Sequence, residues 1–259
     1  MIEKAGKLQG QWALVTGASQ GLGLVFARAL AAEGANLFLM SRNLPKLEAV
    51  CRGIQEEHGV YCHARRIDIT DENSVMAAAS HVLETSGRLD VLINNAALGR
   101  GNTPLQNTEL AEWQRTIDTN LTGTFLCMKH FGRIMIKQKA GRIINLTSLA
   151  ARAVFADAAT GAYDCSKAAV ACLTRCMAGE WAQYGIRVNS ISPGFFLTDI
   201  NKRFLDEHPG FYEKSTKNIP LKRWGNPDEI GALAVFLASA DSDYVTGADF
   251  EMDGGYTLW

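Results

Sequence analysis

"WALVTGASQGLG", residues 12–23, runs an apolar stretch of strand length into a glycine-rich turn. WALVTG (12–17) reads as a buried strand, and LVFARALAAEG (24–34) reads as a helix that Gly34 ends. Between them Gly17, Gly21 and Gly23 are spaced G-x3-G-x-G. Glycines permit a tight turn and let the backbone approach a pyrophosphate closely. A helix N-terminus adds unpaired N–H groups and the positive end of its dipole. Gly17, Ser19, Gln20, Gly21, Leu22 and Gly23 are therefore the candidate phosphate cradle of a nucleotide site. An ordinary strand-to-helix turn is the alternative reading of this loop taken alone.

The rest of the chain repeats the alternation. ANLFLMS (35–41), VYCHARRIDI (60–69), LDVLINNA (89–96), GRIINLTS (141–148), IRVNSISPG (186–194) and ADFEMDGG (248–255) read as strands. LPKLEAVCRGIQEEHG (44–59) reads as a helix with Pro45 in its first turn, and TDENSVMAAASHVLETSG (70–87) as one capped by Thr70 or Asp71. Helices are also predicted over about 109–138, 161–184 and 228–239. Continuous apolar strands separated by helices imply a parallel sheet covered on both faces. Right-handed crossovers then give an α/β fold: a single Rossmann-type, doubly wound parallel sheet of about seven strands. No linker, repeat or low-complexity segment divides the chain, so residues 1–259 read as one domain. Residues 195–227 stand outside the alternation and mix Phe195, Phe196, Phe204, Phe211 and Tyr212 with polar residues, the pattern of a substrate lid.

The composition narrows the function further. The 259 residues are 47% hydrophobic, with 26 basic and 27 acidic side chains, and carry no basic block or acidic tail. That balance argues against a nucleic-acid or membrane-surface partner. No apolar window reaches the length of a signal peptide or a membrane span, so a soluble, cytoplasmic protein is expected. The cysteines at 51, 62, 127, 165, 172 and 176 form no CxxC pair, and Cys172 and Cys176 share a helix face. Buried thiols in a reducing compartment are the expectation. The scattered histidines make no metal pattern, so no metal is expected.

In a dinucleotide site of this type, a carboxylate at the end of the second strand holds the ribose 2′-hydroxyl. Here that strand ends in LMSRN, with Ser41 and Arg42 in the place. A carboxylate would repel a 2′-phosphate, whereas an arginine pairs with it bidentately. NADP(H) is thus favoured over NAD(H), a solvated surface charge being the other reading of Arg42. Hydride transfer to a carbonyl also needs a proton donor at its oxygen. Tyr163 lies four residues before Lys167 on a predicted helix, so the two share a face. A free tyrosine has a pKa of about 10, and a neighbouring cation lowers it. Ser148, at the end of the fifth strand, is placed to hydrogen-bond the substrate oxygen as charge develops.

Together with TGASQGLG (16–23), the motifs RIDITD (66–71), NNA (94–96), IDTNLTGTF (117–125), INLTS (144–148), YDCSK (163–167), VNSISPG (188–194) and DGG (253–255) resemble the short-chain dehydrogenase/reductase family over nearly the whole chain. The resemblance implies Tyr163 as general acid/base, with Lys167 as its partner and a ligand of the nicotinamide ribose. It implies Ser148 as orienter of the substrate oxygen and Asn120 as holder of a water linking Lys167 to solvent. Asp68 and Ile69 would flank the adenine, and Asn95 and Ala96 the adenosine ribose region. Pro193, Gly194 and Thr198 would border the nicotinamide. The family's subunit pairing through the two long helices implies a homotetramer. Two departures stand out: the Ser148–Tyr163 gap is two residues longer than usual, within 149–162, and Ala97 replaces a usual glycine.

The resemblance extends to the gluconate 5-dehydrogenase-like branch, through IPLKRWGNPDEI (219–230) and the terminal DGGYTLW, which implies a keto group on a sugar acid or polyol as substrate. Arg100, Arg152, Lys202 and Arg203 are candidate holders of a substrate carboxylate, or solvated charges. The alternatives are a 3-oxoacyl-[acyl-carrier-protein] reductase and a reductase of steroid-like or other hydrophobic ketones, the latter with the phenylalanines of 195–212 lining its pocket. A non-catalytic dinucleotide-binding regulator is the reading from another class, which the retained Tyr163 and Lys167 oppose.

Overall fold

The computed structural model describes residues 6–99, 101–154 and 158–258. Their strands are β1 (Trp12–Thr16), β2 (Asn36–Ser41), β3 (Cys62–Arg66), β4 (Val91–Asn94), β5 (Gly141–Leu146), β6 (Ile186–Pro193) and β7 (Asp249–Met252). They form one parallel sheet in the order β3-β2-β1-β4-β5-β6-β7. The strand order reverses between β1 and β4. That is the switch point at which the carboxyl ends of the strands leave a crevice for ligands.

The helices are α1 (Gly21–Ala32), α2 (Leu44–His58), α3 (Glu72–Ser86), α4 (Leu110–Ile117), α5 (Gly123–Gln138), α6 (Gly161–Trp181), α7 (Asp199–Glu207), α8 (Phe211–Thr216) and α9 (Pro227–Ala238). Successive side chains of a strand point to opposite faces, and the two cores follow that rule. Ala13, Val15, Leu37 and Leu39 pack with Phe26, Leu30, Leu47 and Ile230 under α1, α2 and α9. Leu14, Phe38 and Met40 pack with Val75, Val82, Phe131 and Trp181 under α3, α5 and α6. β1 and β2 are apolar on both faces because both faces are covered.

Four expectations are revised. The segment read as strand 60–69 pairs only over Cys62–Arg66. Beyond it the Asp68 carboxylate accepts hydrogen bonds from the Thr70 N–H (3.0 Å) and hydroxyl (2.7 Å), which turns the chain out of the sheet. The helix read over 109–138 is divided by a π-helical turn at Asp118–Thr122. The 195–227 segment, read as a lid with no elements assigned to it, contains two helices, α7 and α8. Its rings pack mainly on one another: Phe195 stacks on Trp224 with centroids 5.1 Å apart, and Phe211 meets Phe204 edge-on at 5.1 Å. Cys51, Cys62 and Cys127 are buried, but Cys165, Cys172 and Cys176 are exposed along α6, so burial holds for three thiols only.

Candidate active site

At the β1–α1 junction Gly17 turns with φ +67°, a conformation that costs an L side chain about 1–2 kcal/mol. A Cβ there would also come within 2.8 Å of Asn95 Nδ2 and 2.9 Å of Ala96 Cα. The turn is stitched to β4 from below. Asn95 Nδ2 donates to the carbonyl of Thr16 (2.9 Å), and Thr16 Oγ1 accepts from the N–H groups of Asn95 and Ala96 (3.1 Å each). Asn95 therefore holds the glycine turn in place as well as facing the crevice. Gly23 is one turn into α1, where an added Cβ would meet Asn95 Nδ2 and the carbonyl of Gly17 at 2.5 Å each. It serves close packing.

These elements open into a cavity of about 560 Å³. Of the residues expected at the cofactor, Gly17, Ser19, Gln20, Gly21, Leu22, Ser41, Arg42, Asp68, Ile69, Asn95, Ala96, Tyr163, Lys167, Pro193, Gly194 and Thr198 line it, and Gly23 does not. The cavity fits a dinucleotide by its chemistry. α1 begins without a side-chain cap and without an acidic residue in its first turn; α4, α5, α6 and α8 also lack a side-chain cap, but α1 is the one that starts at the glycine turn. An uncapped N-terminus at the cavity wall keeps its N–H groups for an anion.

Lys46, which the sequence reading passed over, lines the cavity beside Arg42 and donates to Gln20 Oε1. A helix starting at Leu44 puts it one turn beyond Arg42, so the signal was present in the predicted helix boundary. Two cations thus stand where β2 ends. On the same wall Asp68 is held below the usual carboxylate range, chiefly by its hydrogen bonds from Thr70. Phe196, Ile200 and Asn201 reach the cavity from the 195–227 segment.

Tyr163 and Lys167 project from the first turns of α6 into the same cavity, with Lys167 Nζ 5.8 Å from the Tyr163 ring centroid. Lys167 is only 4% exposed, and its Nζ donates to the carbonyl of Leu146, the last residue of β5, at 2.6 Å. Burial lowers its pKa to about 8. Ser148 and Asn120 do not line the cavity. Ser148 is buried just past β5, and its Oγ accepts from Ala150 N at 3.2 Å. Asn120 is fully buried in the π-helical turn. Its Oδ1 accepts from Leu98 N (2.8 Å), and its Nδ2 donates to Ser166 Oγ (3.0 Å), the neighbour of Lys167.

The candidate carboxylate holders separate. Arg152 pairs with Glu251 at 2.5 Å and Asp249 at 3.7 Å, and Lys202 pairs with Asp199 at 3.6 Å. Arg203 is exposed on α7, and Arg100 lies outside the described residues. The longer Ser148–Tyr163 connection begins with a 3-10 turn at Leu149–Ala151, and its residues 155–157 also lie outside them.

A parallel sheet of this order, with a glycine turn at its switch point, is that of a dinucleotide-binding protein. More narrowly, the chain belongs to the short-chain dehydrogenase/reductase family: the family model described as "Enoyl-(Acyl carrier protein) reductase" matches residues 17–257. A galactitol 2-dehydrogenase (L-tagatose-forming) of Cereibacter sphaeroides is 39% identical over 254 residues, covering 98% of this chain and 97% of its own. A gluconate 5-dehydrogenase of Gluconobacter oxydans is 34% identical over 251 residues, covering 97% and 96%. Among solved structures, a gluconate 5-dehydrogenase of Burkholderia cenocepacia J2315 in complex with NADP and tartrate superposes with a TM-score of 0.91. It is 35% identical and covers 98% of this chain and 97% of that one. The protein is thus an enzyme of the family that acts on CH–OH groups with a nicotinamide dinucleotide.

Proposed function

We propose that the enzyme transfers a hydride between NADP(H) and a ketone or secondary alcohol carried by a sugar acid or polyol. The observation that carries this reading is that Tyr163, Lys167 and the glycine turn open into one cavity. The names of its relatives, which act on galactitol and gluconate, support the substrate class. Gly17 to Leu22 would hold the pyrophosphate, Asp68 and Ile69 the adenine, and Pro193, Gly194 and Thr198 the nicotinamide end. When bound, the nicotinamide supplies or accepts the hydride.

The protein's own groups handle the proton. Tyr163 passes a proton to the carbonyl oxygen in reduction and removes it in oxidation. The Lys167 ammonium beside the ring favours the phenolate that remains. Ser148 donates to the oxygen as it becomes negative, and the Ala150 N–H bond to its Oγ polarises that O–H. Asn120, buried next to Ser166, is the proposed anchor of a water leading to Lys167.

The preference for NADP(H) rests on Arg42 and Lys46 lining the cavity where no carboxylate ends β2. One domain performs the whole reaction, with 195–227 covering the substrate through Phe196, Ile200 and Asn201. A homotetramer is the proposed assembly; exposed Leu110 on α4 and Phe125 on α5 support contacts through the long helices. Among the described residues no helix is long and apolar enough to cross a membrane, and a cytoplasmic location is proposed. The reading is tested by oxidation of gluconate, galactitol and threitol beside a 3-hydroxyacyl thioester and a hydrophobic secondary alcohol, each with NADP+ and NAD+. Turnover of at least one with NADP+ is expected. Turnover confined to 3-hydroxyacyl thioesters or hydrophobic alcohols would overturn the substrate class.

A further inference from the structure

Asp249, the first residue of β7, lies in register with Ser190 of β6. Its side chain is 7% exposed, and its Oδ1 lies 2.7 Å from the Ser190 hydroxyl and 2.9 Å from that of Thr147, whose proton it shares with the Ile191 carbonyl at 2.9 Å. Its Oδ2 is buried without a hydrogen bond of its own and faces Arg152 at 3.7 Å, while Arg152 also pairs with Glu251 at 2.5 Å. Thr147 and Arg152 stand on either side of the Ser148 turn. One carboxylate therefore grips both ends of the 3-10 turn Leu149–Ala151 that Ser148 caps.

The geometry points to Asp249 as a positioning residue for the reaction, acting through Thr147 and Arg152 to fix the turn that presents Ser148. This rests on the reading that Ser148 orients the substrate oxygen. The Asp249 side chain is buried while that of Arg152 is 52% exposed, so the 3.7 Å ion pair is partly screened by solvent and the hydroxyls at Oδ1 are the closer contacts. Within the turn itself the Ala151 and Arg152 N–H groups bond back to the carbonyls of Ser148 and Leu149, so these bonds tie the turn to itself and not to the sheet. Displacement of a substrate-positioning hydroxyl by about 1 Å costs on the order of 100-fold in rate. Arg152 is correspondingly engaged with the protein itself rather than turned toward a substrate carboxylate.

The test compares wild type with Asp249→Asn, Arg152→Ala, Arg152→Lys and Ser148→Ala in the full chain. Two quantities are read: amide hydrogen exchange of peptides spanning 147–154 in the cofactor-free protein, and kcat and KM for galactitol. Asp249→Asn and Arg152→Ala should speed exchange at 147–154 but not in the glycine turn. They should lower kcat roughly 10-fold or more, leave cofactor affinity unchanged, and show no further loss when combined. Arg152→Lys should recover most of the rate. Unaltered exchange at 147–154, or faster exchange with unaltered kcat, would overturn the positioning role. If Ser148→Ala keeps wild-type kcat, the role of Ser148 fails, which the exchange data distinguish from failure of the Asp249 grip. If galactitol is not turned over at all, the exchange comparison alone decides the grip, and unaltered exchange sinks it.

Discussion

Replacing Lys167 with methionine should stabilise the cofactor-free protein while abolishing turnover, and the stabilisation should fade as pH rises. Burial lowers the Lys167 pKa from 10.5 to about 8. The shift, 10.5 minus 8, corresponds at 1.36 kcal/mol per unit to roughly 3 kcal/mol. Below pH 8 the side chain is protonated in both folded and unfolded chains, so the folded state bears the whole penalty of a buried charge. Between pH 8 and 10.5 the unfolded chain binds a proton that the folded chain does not, and wild-type stability rises with pH. Above 10.5 neither state is charged and the penalty is gone. Methionine removes the charge at similar volume but deprives the Leu146 carbonyl of its 2.6 Å donor, a loss of about 1–3 kcal/mol. The net gain at pH 7 is then about 1 kcal/mol. Its decline between pH 7 and pH 10 is the larger signal, about 2 kcal/mol, because that loss of the carbonyl's donor is common to both pH values. Urea unfolding at several pH values measures the difference when both the reference and the Lys167→Met chain also carry Tyr163→Phe, because the tyrosine facing Lys167 would otherwise titrate differently in the two. A difference that stays flat from pH 7 to pH 10 would refute the argument that burial of Lys167 sets its proton affinity.

Three further substitutions probe the cavity. Tyr163→Phe should lower kcat by about 100-fold to 10,000-fold with cofactor binding intact in a fluorescence titration, and near-normal turnover would remove Tyr163 from the proton step. Arg42→Asp should shift the ratio of kcat/KM for NADPH over NADH by about 10-fold or more toward NADH, since each tenfold change needs only 1.4 kcal/mol and a charged hydrogen bond contributes that much. Adding Lys46→Ala should move it further; an unmoved ratio in the double variant would make both cations bystanders. Gly17→Ala should lose stability by about 2 kcal/mol or more, from the positive φ together with overlap on Ala96 Cα at 2.9 Å, and should weaken dinucleotide binding. An unchanged melting temperature and dissociation constant would show that the turn relaxes without cost.

The fold was legible in the sequence because its signal is redundant. Each of β1, β2 and β5 is an apolar run bounded by turn residues, and any one misread strand would be corrected by the alternation around it. Strand ends were the weak point, for a physical reason: at the carboxyl edge the chain stops pairing in order to line the cavity. Ile67 to Thr70 and Asn95 to Ala96 continue the apolar pattern but follow side-chain hydrogen bonds, from Thr70 to Asp68 and from Asn95 to Thr16 and Gly17. The helices α7 and α8 escaped notice because their apolar side chains answer to rings elsewhere in the same segment, as Phe211 does to Phe195, Phe204 and Trp224. Periodicity within a short helix cannot register such partners. Arg152 makes the limit plain. Its sequence shows a cation a few residues from a candidate catalytic serine, which suits a substrate anion equally well. Only the register of β7 against β6, which brings Asp249 beside Ser190 and under Thr147, reveals that its charge is already matched within the fold. Local sequence therefore carries which groups are available to the chemistry, while pairing across strands distant in the chain decides which of them remain free to meet a substrate.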